Sequence, residues 1–433
     1  METERMTTDK INSLQGLETV DAGTVHDGIF NREAIEQLSR SMNEPTWMLA
    51  KRLRAWTVYC EMPRRTENTV LSASKRFDGH GVRFEELQGP LRSETTVHRN
   101  RISDALISKG VIFSTLTDAL KDHSELAEKY FMTKSVQINE NALTALHAAF
   151  WNTGSFLYIP KNVAVEIPIE NTITKNSNTD LLFPHTLIIA EEGASVTVIE
   201  TSRSETEDRP AFVNGVVEIF AGPGAVVRYI SPQIFGENVH YTTFKKAVGR
   251  KDSTVNWYEI GIGGIFSQSD IQLILDEQGS TGEMLGIYFP RGHQEMEYRT
   301  LQVHASPNTK SNLLFKGALQ DAARTIFRGV IQVHKGAQRT DAYQANRNIL
   351  LSSDAHADSI PVLEIEANDV RCTHGATVGP IDEEVLYYLM SRGLSRGEAK
   401  RMLVIGFLVP VIDKIPVEAI RDEIKGYIES RIH

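Results

Sequence analysis

The chain has 433 residues, 41% of them hydrophobic and 24% charged, with a formal net charge of −10 and two cysteines, Cys60 and Cys372. That length can bury a sizeable core, in one elongated domain or in two to three, while the acidic balance argues against a phosphate-binding surface and so against nucleic acid as a partner. Two cysteines build no disulfide framework, and no apolar run approaches the ~20 residues that span a bilayer; the longest, MLVIGFLVPVI from Met402 to Ile412, contains a proline.

The opening METERMTTDKINSLQG has no apolar stretch of the kind a secretion signal needs, which makes a cytoplasmic location without membrane attachment the expectation. The first ~45 residues are polar and uneven and read as a mobile arm with one short helix at NREAIEQLSRSM. EPTWMLAKRLRAW then sets Trp47, Met48, Leu49, Leu53 and Trp56 at mostly helical spacing, a helix with a core-facing stripe. From Lys109 the stretches GVIFSTLTDALKDHSELAEKYF and NENALTALHAAFWNTG also read as helical, the second opening on an asparagine cap and closing on Gly154. Residues 1–154 are therefore expected to form an N-terminal arm and helical region.

After Gly154 the texture changes to short β-rich runs: SFLYIP, TLIIA, SVTVIE, GVVEIFA, AVVRYIS, TVNWYEIG, IQLILD and others as far as PVLEIEA. Turn clusters near Gly193, Gly224, Asp252, Gly279, Asn308 and Gly336 recur about every thirty residues, the signature of a repeat architecture. A parallel β-helix, a solenoid whose coils pair with the coils above and below, is the leading expectation for residues 155–379, with an array of β-sandwiches as the alternative. Residues 380–433 return to helix, with acidic first turns and prolines at segment starts. Removal of this terminal module is expected to leave the solenoid folded. The fold class is thus mainly β, a parallel solenoid between two helical regions.

NDVRCTHGATVG puts a Cys and a His two positions apart. In a strand, Val370, Cys372 and His374 share one side and Arg371 and Thr373 the other, so the pair suits one metal ion; a small buried thiol beside a packed core histidine satisfies the same spacing. With no second Cys nearby and no C-x-x-C, a four-cysteine cluster or zinc site cannot be built within one chain. Upstream, SSDAHADS alternates Asp354, His356 and Asp358, a carboxylate–imidazole set fit for iron, zinc or manganese, although such a stretch is also an ordinary polar turn. There is no G-x-x-x-x-G-K-[ST], GIGGIF lacks the third glycine of a dinucleotide site, and neither G-x-S-x-G nor H-E-x-x-H occurs. A complete active site is not apparent, and a sugar-cleaving β-helix would need clustered acids and aromatics, whereas only four Trp are present.

EPTWM, KGVIF, HSELAEKYF, LTALHAAFWNTGSFLYIPKNV, PHTLIIAEEGASVTVIE, NRNILLSS, CTHGATVGPIDEEVLYYLMSRG and GFLVPVI together resemble the SufB/SufD proteins of iron–sulfur cluster assembly, and the SufD type most. The resemblance runs from Glu44 through nearly the whole chain. It implies a right-handed parallel β-helix between helical regions and a non-catalytic scaffold of the SUF system. As partners it implies a SufB-like subunit, or a second copy in a homodimer, and the ABC-type ATPase SufC, in which the ATPase activity resides and which docks on residues 380–433. The cofactor implied is a transient iron–sulfur cluster shared with the partner, a flavin remaining open. This chain has no Cys between Leu350 and Arg371, where SufB carries one, and has a His in the HGA motif. By that resemblance His374 is the cluster-site ligand at the SufB interface; Cys372, His356 and Asp354 stand beside it as further candidate metal ligands.

Overall fold

The computed structural model describes residues 29–62, 98–99, 102–176, 180–205 and 209–432. Two parallel sheets form the body. The first runs from His98–Arg99 and Ile169–Lys175 through Ser195–Ser204, Val226–Ile234, Thr254–Gly261, Thr281–Tyr288, Lys310–Leu319 and Thr340–Leu350 to Val370–Pro380. The second runs from Ile112–Thr115 and Thr153–Ile159 through Pro184–Ala190, Ala211–Ala221, Val239–Gly249, Phe266–Leu275, Glu295–His304 and Arg324–Val333 to His356–Ile365. The chain alternates between them, and after the first strand of each sheet every strand pairs in parallel with its equivalent one coil on: His240 lies opposite Phe266, Phe266 opposite Glu295, Glu295 opposite Arg324, and Arg324 opposite His356. The result is a β-solenoid of about eight turns.

The expected turn residues are where the backbone reverses. Gly193, Gly224, Asp252, Gly279 and Asn308 all take positive φ, which glycine adopts freely and Asn and Asp tolerate. In the last expected cluster the positive φ falls on Arg339, not on Gly336.

Six helices precede the main run of strands among the described residues: α1 (Arg32–Met42), α2 (Thr46–Glu61), α3 (Asp104–Ser108), α4 (Leu116–Asp122), α5 (Ser124–Tyr130) and α6 (Ala142–Phe150). Of the expected mobile arm, residues 1–28 lie outside the described residues; residues 29–45 are packed and not an arm, with Phe30, Ile35, Leu38 and Met42 buried in the core. The fully buried stripe of α2 is Met48, Arg52, Ala55 and Tyr59, with Trp47, Leu49, Leu53 and Trp56 only half-buried at its flanks. Asn141 caps α6 in a reciprocal capping box with Thr144, as the sequence suggested.

Two local expectations fail. Ile112–Thr115 is a strand, because it pairs antiparallel with Ser155–Tyr158, a tertiary partner that outweighs its helical surroundings. Gly154 does not close α6, which ends at Phe150. Gly154 instead lies in the next strand, where an added Cβ would stand 1.9 Å from the carbonyl oxygen of His185, so only glycine admits the neighbouring backbone.

All nine residues of α6 are buried. It is wedged between α2 and the outer face of the second sheet, in one apolar cluster with Phe183, Leu187, Phe212, Val216, Phe220 and Phe244. The C-terminal helices α7 (Glu383–Ser391), α8 (Arg396–Ile412) and α9 (Glu418–Arg431) follow the last strand. Val404, Leu408, Ile412, Ile424 and Ile428 of α8 and α9 cover Ile230, Tyr258, Ile260, Leu285 and Ile287 on the outer face of the first sheet. Truncation after Gly379 would therefore bare a buried apolar flank, so the expectation that the solenoid survives without its C-terminal helices is revised.

The two ends differ. At the start, both first strands pair antiparallel with the body, and Ile102, Leu106 and Phe113 pack over the interior cluster. At the other end, Val370–Pro380 and His356–Ile365 are the outermost strands of their sheets, and Ile360, Ile365 and Val378 are exposed there.

Candidate functional site

The open end is where the sequence placed its candidate ligands. Strands of a solenoid stack in register, so an inward residue in one coil lies over an inward residue in the next. Val198, Tyr229, Trp257, Met284, Leu313, Gln344 and His374 form one such inner row. The row is apolar in most coils and becomes polar in the last two. Gln344 is fully buried and donates across the interior to the carbonyls of Gly329 (3.3 Å) and Val362 (3.1 Å) of the opposite sheet. His374, one coil further on, has no coil above it among the described residues and is exposed.

Cys372 occupies the parallel row over Ala342. It is half-buried against Ile331, Val333, Ala337, Ala342 and Ala367. Burial, followed by the nearby Asp341 carboxylate, pushes its thiol above the usual range. A thiol held up in this way is a weak nucleophile and a weak metal ligand at neutral pH. Cys60 is exposed at the end of α2.

His356 and Asp358 stand on the outer face of the second sheet, where Nε2 of His356 is 3.4 Å from Oδ1 of Asp358 and both side chains are more than half exposed. Asp354 lies exposed in the preceding turn, its Oδ1 accepting from Ser353 Oγ at 3.4 Å. Cys372 and His374 thus share the inner side of one sheet, while His356 and Asp358 face outward from the other. Among the described residues, no three or more His, Cys, Asp or Glu side chains gather as a metal ion would require. What the inner side of this end offers is one accessible imidazole, His374, beside a protonated thiol, at two sheet edges that are open among the described residues.

Sequence reasoning missed the charged groups inside the solenoid. Lys245 donates to both carboxylate oxygens of Glu259 (2.8 and 2.7 Å) and to Ser231 Oγ (2.8 Å), all buried. Two coils earlier, Glu200 accepts from Asn171 Nδ2 (2.8 Å), Tyr229 OH (2.7 Å) and the hydroxyl of Thr186. The available signal was a charged residue in an apolar strand run, as in SVTVIET, WYEIG and TFKKAV.

Residues 172–407 match the family described as SUF system FeS cluster assembly, SufBD core domain, and residues 93–170 match the SufBD protein N-terminal region. The iron-sulfur cluster assembly protein SufD of Bacillus subtilis is 36% identical over 345 residues, covering 79% of this chain and 78% of that one. An iron-sulfur cluster assembly SufBD family protein of Staphylococcus saprophyticus is 28% identical over 417 residues, and one of Staphylococcus aureus (strain USA300) is 29% identical over 417, each covering 89% of both chains. No helix among the described residues is long and apolar enough to cross a membrane.

Proposed function

Because the chain belongs to the SufBD family of iron–sulfur cluster assembly proteins, we propose that it is the SufD-type scaffold of its system, a non-catalytic subunit that pairs with a SufB-like chain in the cytoplasm. His374 is the group it brings to the shared cluster. The observation that carries this reading is the placement of His374 as the last member of an inner row, exposed between two unpaired strand edges. A neutral imidazole there can give its lone pair to iron while the partner supplies thiolate. Cys372, whose burial holds the thiol protonated, is secondary, and His356 and Asp354 are peripheral.

Energy enters through the ATPase SufC, seated on the C-terminal helices. Two features support this. The helix α7 exposes Val385, Tyr387 and Tyr388, and α8 exposes Met402. A groove lined by Glu398, Arg401, Met402, Ile405, Gly406, Val409 and Glu429 runs beside them. Residues 380–433 serve as the docking module, 155–379 as the scaffold and 1–154 as its N-terminal brace.

The test is His374→Ala in the co-purified complex. Iron retained after anaerobic reconstitution is expected to fall at least about tenfold, the loss of one ligand's worth of binding. The melting temperature should shift little, because an exposed side chain leaves no cavity when truncated. Cys372→Ala should have the smaller effect on iron. Undiminished iron in His374→Ala would instead assign the chain a purely structural role.

A further inference from the structure

Where the N-terminal helices dock on the outer face of the second sheet, three titratable side chains without exposed surface stand in a row. Nδ1 of His147, on α6, is 2.8 Å from the carbonyl oxygen of Asn214, and its Nε2 is 3.0 Å from Nδ1 of His185. Nε2 of His185 is in turn 3.2 Å from Oε1 of Glu218. A carbonyl only accepts, so Nδ1 of His147 carries the hydrogen; its Nε2 then accepts, and Nδ1 of His185 donates. Nε2 of His185 has no other hydrogen-bond partner and is buried facing that carboxyl; one more proton shared by the two groups leaves the string with no net charge. Glu218 also accepts from the backbone N–H groups of Met132 (2.6 Å) and Val136 (3.0 Å), so the segment between α5 and α6 is tied to the same carboxyl.

We propose that this string is a proton-operated latch fastening the N-terminal helical region to the flank of the solenoid, closed by one shared proton and opened by gaining or losing one. A second proton on the two rings would set N–H against N–H between His147 and His185. Loss of the shared proton would set a buried carboxylate against an imidazole lone pair.

The cations packed around the string each have a partner of their own. Lys51 of α2 is the cation nearest His185 and Glu218, and it donates to the carbonyl of Phe131. Lys246, on the strand beside Glu218, is held 2.6 Å from Glu140. Arg52 of α2 faces His147 and is neutralised by Glu44. The ring of Phe131 stacks on His185 at 4.2 Å, and that of Phe183 lies 6.4 Å from His147.

The pH profile follows from burial, the largest influence on all three groups. It lowers His147 well below the ordinary histidine value and His185 to about 3, and raises Glu218 to about 8. The histidine contributions are complete above about pH 6.5 and are lost as the pH falls, because rings released into water take up protons. The Glu218 contribution is complete below about pH 4.5 and is lost as the pH rises towards 8, because a released carboxyl ionises. Between about 4.5 and 6.5, opening takes up two protons and releases one; above that range it only releases one. The latch is therefore tightest near pH 6.5.

The experiment is amide hydrogen exchange of residues 142–150 in the full chain at several pH values from 5 to 8. Rates are corrected for intrinsic exchange, with strand Thr281–Tyr288 as internal reference. Opening of α6 should increase up to about tenfold per pH unit on the acid side and again between pH 7 and 8. His147→Gln keeps a donor for Asn214 and an acceptor for His185 but cannot titrate; it should flatten the acid limb and leave the alkaline one. Glu218→Gln should abolish the alkaline limb. Opening of α6 that is independent of pH in the unsubstituted chain overturns the proposal, as does survival of both limbs in both variants. Should either variant fail to fold, the profile of the unsubstituted chain decides.

Discussion

Lys245→Met is expected to destabilise the solenoid by about 3–5 kcal/mol, read as a lowered urea midpoint at pH 7. The methionine fills most of the space but leaves the Glu259 carboxylate buried with only the Ser269 hydroxyl, at 3.4 Å, in place of its cation. A buried charge without a partner is among the few single changes that reach this size. The cost lies in the orphaned charge and not in the ion pair itself. Hence the double substitution Lys245→Met with Glu259→Met should recover most of the loss, since apolar pairs of similar volume often replace buried ion pairs at little cost. A double variant as unstable as the single one would show that the pair holds the coils together directly.

Arg52→Lys is expected to cost about 2–4 kcal/mol despite preserving the charge, because an ammonium cannot reproduce a planar fork. The Arg52 guanidinium reaches both Glu44 oxygens (2.8 and 2.6 Å) and the carbonyls of Ala149 and Trp151 (2.9 Å each). Those carbonyls lie at the C-terminus of α6, so one side chain satisfies groups that the helix leaves unpaired. It also lies 4.6 Å from the Trp151 ring centre. Three of the four tryptophans, Trp47, Trp56 and Trp151, belong to this N-terminal region. Their fluorescence should therefore report an unfolding step shifted to lower urea, ahead of the far-ultraviolet signal of the sheets. Coincident transitions with an unchanged midpoint would contradict this.

The solenoid was legible because its period is written in backbone geometry: positions such as Asp252 and Asn308 need positive φ once per coil, and few residue types supply it. Features set by neighbours distant in sequence were less legible. Nothing local in KGVIFST announces that Ile112 will face Tyr158 across an antiparallel pair. Nor does the stripe of α2 reveal that it is centred on Arg52, because a buried arginine is foreseeable only once Glu44 and the end of α6 stand around it. Alternation alone placed Cys372 and His374 on one side. Their opposite environments, an apolar pocket for one and solvent for the other, come from where the coils stop. The same period-two reading grouped Asp354, His356 and Asp358, but it could not tell the outer face of one sheet from the inner face of the other.

If the pairing proposed above runs through the open end, the unequal ends of the solenoid also set its stoichiometry. In the language of polymer growth, a body with two reactive ends propagates into a filament, whereas one with a single reactive end has a valence of one. Here the initial end is terminated by short antiparallel strands and by Ile102, Leu106 and Phe113 packed over the interior, and among the described residues the final strands keep their backbone edges unpaired. Short, covered edges resist strand addition and long bare ones invite it. Two such bodies joined through their bare ends leave only terminated ends outward, so addition stops after one step and no further device is needed to count to two.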